Sequence, residues 1–340
     1  MKKTKLPWTG IFAAAGMAML ILDAKTALIG AKDGIQLCIY TVIPSLFPFI
    51  VLSIIINSSL AGHSIPFLRP LCRFCGMPQG SESLLLLGLI GGYPVGAQSI
   101  SLAYQNGQLT KKDAHRLLGF CSNAGPSFLF GITACLFTNK YAVWLLWGIQ
   151  ILSVIITGFL LPGKSRANCS IRTGTPISVP QALHKSIQSM ASICGWVILF
   201  RVFLAILNRW WLWLLPTEMQ TILIGCLELT NGCTELNRIG LEGVRFLLCA
   251  CFLNFGGACV GMQTVSVCNE LGTGMYFPGK VLQTVIAILL AYPLQAILYA
   301  TGDSAHNGMI SILIFAVIGI GYTLFLRRKK SSGNFVTNGI

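Results

Sequence analysis

Two asparagines, each beside residues that interrupt a long apolar run, are the positions in this chain best suited to hold a solute. Asn123 lies in Ser122-Asn123-Ala124-Gly125-Pro126-Ser127, and Asn254 in Leu253-Asn254-Phe255-Gly256-Gly257. Gly, Pro and Asn inside hydrocarbon release backbone N–H and C=O groups, which persist only where protein or a watery cavity satisfies them. At such a break one half-helix ends on free carbonyls and the next begins on free amides. Ends carrying about half a charge of either sign then face a common space. Pro126 suits the first turn of the second half-helix, where its missing N–H would be unpaired anyway. Ser122, Asn123 and Ser127 add side-chain donors and acceptors. Paired interruptions in two halves of one chain point to a transporter's midplane site. A kink packed tightly against a neighbour is the alternative for either break.

Other polar groups fall near the same depth. Tyr93 is part of Gly91-Gly92-Tyr93-Pro94, Gln98 follows Gly96-Ala97, and Glu228, Thr230 and Asn231 cluster in a second interruption. Gln263 lies nine residues beyond Asn254. On an ideal helix it would face away, unless the break at Gly256-Gly257 re-aims it. Arg201, within Trp196–Phe203, is the most isolated charge in an apolar stretch. Unpaired at the centre of a bilayer it would cost roughly 2.5–3.5 kcal/mol on insertion scales. Three partners are open to it: Glu228, a carboxylate on a substrate held bidentately, or the interface reached by snorkelling. The candidate substrate-binding set is therefore Tyr93, Gln98, Ser122, Asn123, Ser127, Arg201, Glu228, Thr230, Asn231, Asn254 and Gln263, with Gly125, Pro126, Gly256 and Gly257 making the breaks.

No catalytic or metal centre accompanies them. His63, His115, His184 and His306 fall in loops or at helix ends, and no nucleophile elbow, phosphate loop or intramembrane carboxylate pair is present. Cys72-Arg73-Phe74-Cys75 is a lone pair without a second pair or a nearby histidine, and is expected to be two loop cysteines. The chain is expected to be no enzyme and to need no cofactor and no metal.

The elements that must position these groups are membrane helices. Hydrophobic residues make up 54% of the 340 and charged residues 10%, with mean hydropathy +0.73, far from a soluble domain. Segments at 7–24, 35–60, 114–137, 141–161, 186–208, 243–268, 278–300 and 308–326 are long and apolar enough to cross, which gives an all-α polytopic membrane protein of about eight helices. Two more apolar stretches, 84–104 and 219–237, carry Gly, Pro or Asn near their centres and are expected to be re-entrant hairpins.

With a cytoplasmic N-terminus, sixteen basic residues collect in inner loops and tails, Lys280 and Arg327-Arg328-Lys329-Lys330 among them, against five outside. That bias satisfies the positive-inside rule and puts both termini in the cytoplasm. It also accounts for the +14 charge as a topology signal, so no nucleic-acid partner is expected. The expected partners are the lipid bilayer and a small-molecule substrate, with self-association into a homo-oligomer left open.

The halves resemble each other in order. A peripheral helix (1–33) precedes a first repeat (34–162), a basic linker (163–185), a second, inverted repeat (186–301), a C-terminal helix (302–326) and a basic tail (327–340). In each repeat a helix, a hairpin, a broken helix and a further helix follow in turn, which supplies two gates around one site.

Pro44-Ser45-Leu46-Phe47-Pro48-Phe49, Gly92-Tyr93-Pro94-Val95-Gly96-Ala97, Asn123–Gly131, Glu228-Leu229-Thr230-Asn231-Gly232 and Asn254–Gln263 resemble the sporulation integral membrane protein family of endospore-forming bacteria. That family carries the nucleoside-recognition, or gate, domain of the concentrative nucleoside transporters. The resemblance covers about residues 30–300. It implies a transporter that moves dipicolinic acid across the outer forespore membrane. A planar dicarboxylate would suit Arg201, the helix amino ends and the ring of Tyr93 or Phe128. Gln98 stands where the family has a lysine, so no cationic ligand carries over there. Beside the anion transporter stand a transporter of nucleosides or other neutral solutes, and a non-transporting membrane protein of spore assembly.

Overall fold

The structure, a computed structural model, describes residues 8–60, 65–164 and 177–299. Helix α1 (Trp8–Leu22) turns at Asp23 into α2 (Ala24–Leu37), which runs through a wide π turn at Cys38–Val42 into α3 (Ile43–Leu60). Pro44 and Pro48 cannot donate to the carbonyls four residues back, and the wide turn beside them absorbs the misfit without ending the helix. Short α4 (Arg69–Phe74) leads to α5 (Glu82–Ile90) and α6 (Val95–Gln105). Next comes α7 (Lys111–Leu118), whose N-cap Thr110 accepts from the Asp113 N–H.

Residues 119–125 are not helical, and α8 (Pro126–Phe128) continues through wide and tight turns to Leu136. The long helices α9 (Tyr141–Leu160) and α10 (Val179–Trp210) follow. A reciprocal cap between Ser178 and Gln181 starts α10. Then come α11 (Thr217–Leu227), α12 (Leu229–Glu235), α13 (Glu242–Phe255), α14 (Gly257–Cys268) and α15 (Tyr276–Leu298).

Five stretches among the described residues are long and apolar enough to cross a membrane: Ala24–Ile56, Tyr141–Leu160, Val179–Trp210, Glu242–Cys268 and Tyr276–Leu298. Their outward faces carry large apolar side chains, Leu28 at 58% and Leu199 at 57% exposure among them. So much contiguous exposed apolar surface is stable against lipid and not against water. The protein is an all-helical integral membrane protein.

Several boundaries differ from those expected. Residues 25–34 are not a loop but the body of α2, continuous with the 35–60 span, so Asp33 sits on a helix. Residues 179–185, assigned to the linker, already belong to α10. The 114–137 segment is split more deeply than a kink, because α7 ends four residues before Ser122 begins the break. Helix 308–326, the tail 327–340 and linker residues 165–176 lie outside the described residues.

Both expected hairpins are helix pairs folded back on themselves, α5 on α6 and α11 on α12. Each pair touches at glycines. A β-carbon on Gly96 would stand 3.0 Å from the Gly88 Cα, and one on Gly232 only 2.3 Å from the Gly225 Cα. Gly30 and Gly34 let α2 approach the α10 backbone at Val202 and Ile198 in the same way, the small-residue contact usual between membrane helices. Four apolar clusters result among the described residues, two of them large. Phe120 and Cys121 belong to the one formed by α4–α7, while Ala124 and Phe128 belong to the one around α9, α13 and α15. The first break is the seam between them.

Cys72 and Cys75 lie on α4 and its C-terminal cap, not in a loop, and both are buried. Burial pushes the Cys72 thiol up to about 12 and the Cys75 thiol up to about 11. At pH 8 the thiolate fraction of either is then on the order of a thousandth or less. Native protein is accordingly expected to leave both unlabelled by maleimide within minutes, while detergent-denatured protein labels fully. Mass spectrometry of the alkylated peptides reads the outcome, and rapid native labelling at Cys75 would contradict this packing.

Candidate functional site

The two breaks meet on one side chain. Gln283, on α15, donates from Nε2 to the Asn123 Oδ1 at 2.8 Å and to the Asn254 Oδ1 at 2.9 Å. Each asparagine amide is in turn fixed by its own break. Asn123 Nδ2 donates to the carbonyls of Phe120 and Gly88, tying the break to α5, and Asn254 Nδ2 donates to the Ala250 carbonyl. From α9, the Ser153 Oγ lies 2.8 Å from the Asn254 Oδ1, and Gln150 Nε2 donates to the Ala124 carbonyl at 2.7 Å. Gly256 takes φ = 81°, a left-handed conformation that ends α13, and Gly257 starts α14 at once. The second interruption is thus one sharp step, whereas the first is an extended stretch.

Lys280 is the charge at this junction. The sequence places it among the inner-loop cations; the structure places it in the first turns of α15 at 1% exposure. Its Nζ donates to the Asn123 Oδ1 and the Gln283 Oε1, both at 2.9 Å, and lies 5.3 Å from the centre of the Tyr93 ring. None of the ion pairs among the described residues involves it. A fully buried lysine with a neutral polar shell in a membrane helix is expensive, and such a residue is a candidate for function.

Tyr93 also lines a pocket. Its wall combines Gly91–Tyr93 from the first pair's tip, Ala124, Gly125 and Ser127 from the first break, and Glu228–Thr230 from the second pair's tip. Apolar groups of α3 and α10 and the pair Val260 and Gln263 of α14 complete it. The room left there for a water-sized molecule is about 40 Å³, well below that of a formed small-molecule site, so the pocket is narrow in this conformation.

Of the sequence-chosen residues, Tyr93, Ser127, Glu228, Thr230 and Gln263 are on this wall, together with Gly125. Gln263, on α14 beyond the step at Gly256, lies on the wall although an unbroken helix would face it away. Asn123, Asn254 and Ser122 stand behind it, fully buried, and the Ser122 hydroxyl has no hydrogen-bond partner among the described residues. Gln98 is half-buried on α6 and is not part of the wall.

Arg201 is not on the wall either. Its Nη1 donates to the Asn231 Oδ1 at 2.9 Å, and its Nη2 lies 3.7 Å from the Asp33 carboxylate. Of the three partners open to it, Glu228 is reached only through Asn231. The Glu228 carboxylate caps α12, accepting from the Thr230 N–H at 3.0 Å, the Asn231 N–H at 2.6 Å and Asn231 Nδ2 at 2.7 Å. Asp33, Arg201, Asn231 and Glu228 therefore form one chain of contacts from α2 through α10 to the tip of the second pair.

Sequence reasoning missed Lys280, Gln283, Gln150 and Ser153. Lys280 and Gln283 share one face of α15, and two polar residues a turn apart inside an apolar span were the available signal.

No family model matches the chain, and no solved structure matches it. It is similar to the sporulation integral membrane protein YlbJ of Bacillus subtilis (strain 168), 25% identical over an alignment 348 positions long that covers 85% of this chain and 83% of that protein. The likeness runs through most of both chains and accords with the helical membrane architecture.

Proposed function

We propose that the protein transports a small organic anion across the membrane by alternating access at the pocket beside Tyr93. One observation carries this reading: the tips of both helix pairs and the first break wall one pocket, and Tyr93 on that wall lies against buried Lys280, which has no carboxylate partner among the described residues. An anion in the pocket would supply the charge that Lys280 lacks nearby. In this reading α5–α6 and α11–α12 are re-entrant gates, and the two halves move against each other as inverted repeats. The family resemblance suggests dipicolinic acid as the anion and the outer forespore membrane as the location.

A second reading has an observation of its own. The Glu228 carboxylate is on the wall and Arg201 is engaged elsewhere, which favours a neutral solute such as a nucleoside.

Uptake of labelled dipicolinate into liposomes carrying the purified protein, with nucleosides as competitors, separates the two. Under the anion reading Ser127→Phe, which places a ring in the pocket, is expected to lower flux about tenfold or more by steric exclusion. Arg201→Ala should lower it less than about threefold, because that charge already faces Asp33 at a partly exposed position. Nucleoside flux without dipicolinate flux would establish the second reading. No flux of either would show a non-transporting protein.

A further inference from the structure

We infer that Lys280 is a resident cation, tethered at the junction of the two broken helices where a transporter coupled to a free cation would bind that ion. The shell around its Nζ has the composition of a monovalent cation site. Two amide oxygens stand at 2.9 Å, from Asn123 at the first break and Gln283 on α15, and the face of the Tyr93 ring closes a third side. Oxygen dipoles and a π face attract any small cation, and an ammonium satisfies them with its three N–H donors.

The junction is also where a cation has most effect. Asn123 holds the first break to α5, and Gln283 passes on to Asn254 at the second break. The positive charge orients the Asn123 and Gln283 carbonyls toward one point, touching the first break directly and the second through Gln283. Because that group is covalent, the junction is filled without recruiting sodium or potassium. The statement about the site stands on this geometry. Its consequence for transport, a cycle that needs no free metal cation, rests on the transporter reading above.

The full-length protein in detergent tests the site. Truncating the side chain by Lys280→Ala leaves the two oxygens and the ring facing an empty space. Its thermal midpoint is expected to rise saturably by about 3–6 °C with ammonium chloride and not with choline chloride at equal ionic strength. Lys280→Met, which fills the space without charge, should be indifferent to both salts, and so should the wild type. A folded Lys280→Ala protein that ignores ammonium, potassium and sodium alike would overturn the inference, as would a wild type that responds as the variant does.

Should Lys280→Ala fail to fold in any salt, wild-type flux decides. Equal uptake in sodium, potassium and choline supports a resident cation, and uptake that needs sodium or potassium refutes it. Absence of flux in every salt would instead defeat the transporter reading, and the wild-type thermal midpoint then decides the site: a saturable rise in sodium or potassium over choline refutes a resident cation, and indifference supports it.

Discussion

Replacing Gly232 by alanine is expected to leave no folded protein in a mild-detergent extract. The added β-carbon would stand 2.3 Å from the Gly225 Cα, so the α11 and α12 backbones must part. Overpacking costs about 1–3 kcal/mol where side chains can yield. Here the obstacle is main chain, and the α12 tip that would move carries Glu228, Thr230 and the Asn231 bond to Arg201. We expect a loss above about 4 kcal/mol, in the range reserved for severe core disruption. Gly225→Ala should behave alike, because its β-carbon would enter the Phe252 ring at 2.3 Å. Gly148→Ala on α9, with nothing within 4 Å of the new carbon, is the control and should be unchanged. Size-exclusion profiles and thermal midpoints read the series, and a Gly232→Ala protein with the wild-type midpoint would show that these helices do not cross at glycine.

The second large effect is expected at Gln283. Gln283→Met keeps the length and volume but removes both donors that join Asn123 to Asn254 and the acceptor that Lys280 uses. Leaving buried polar groups short of a partner costs about 1–3 kcal/mol each, so a loss of roughly 2–4 kcal/mol should follow. The more telling measurement is a double-mutant cycle with Asn254→Ala. Residues in one hydrogen-bonded network show coupling of about 0.5–3 kcal/mol, and strictly additive losses would mean that the two breaks are independent. If the protein is a transporter, the same variant should lose most of its flux even at temperatures where it stays folded.

The breaks were readable in advance because Gly-Pro and Gly-Gly inside an apolar run have few physical explanations. Tyr93, Ser127, Glu228, Thr230 and Gln263 were chosen on that reading, and the structure places these five on one wall. The polar residues that join the breaks were hidden for definite reasons. A lysine near the start of an apolar helix has the same local sequence whether it reaches the interface or points inward, and the positive-inside rule favoured the interface for Lys280. Gln150 and Ser153 lie in a stretch that is otherwise apolar, where single polar residues carry no periodic signal. The partner of Arg201 was missed because Lys25, Lys32 and Asp33 give residues 25–34 the composition of a loop. Only the helix through them brings Asp33 to face α10.

Helix α10 is unbroken for 32 residues, a length of roughly 48 Å, against about 30 Å of hydrocarbon in a bilayer. Its overhang is rigidly joined to Ile193 and Val197 on the pocket wall and to the arginine that touches Asn231. A displacement at either end of such a rod would reach the pocket wall through continuous helix, with no loop in between to absorb it.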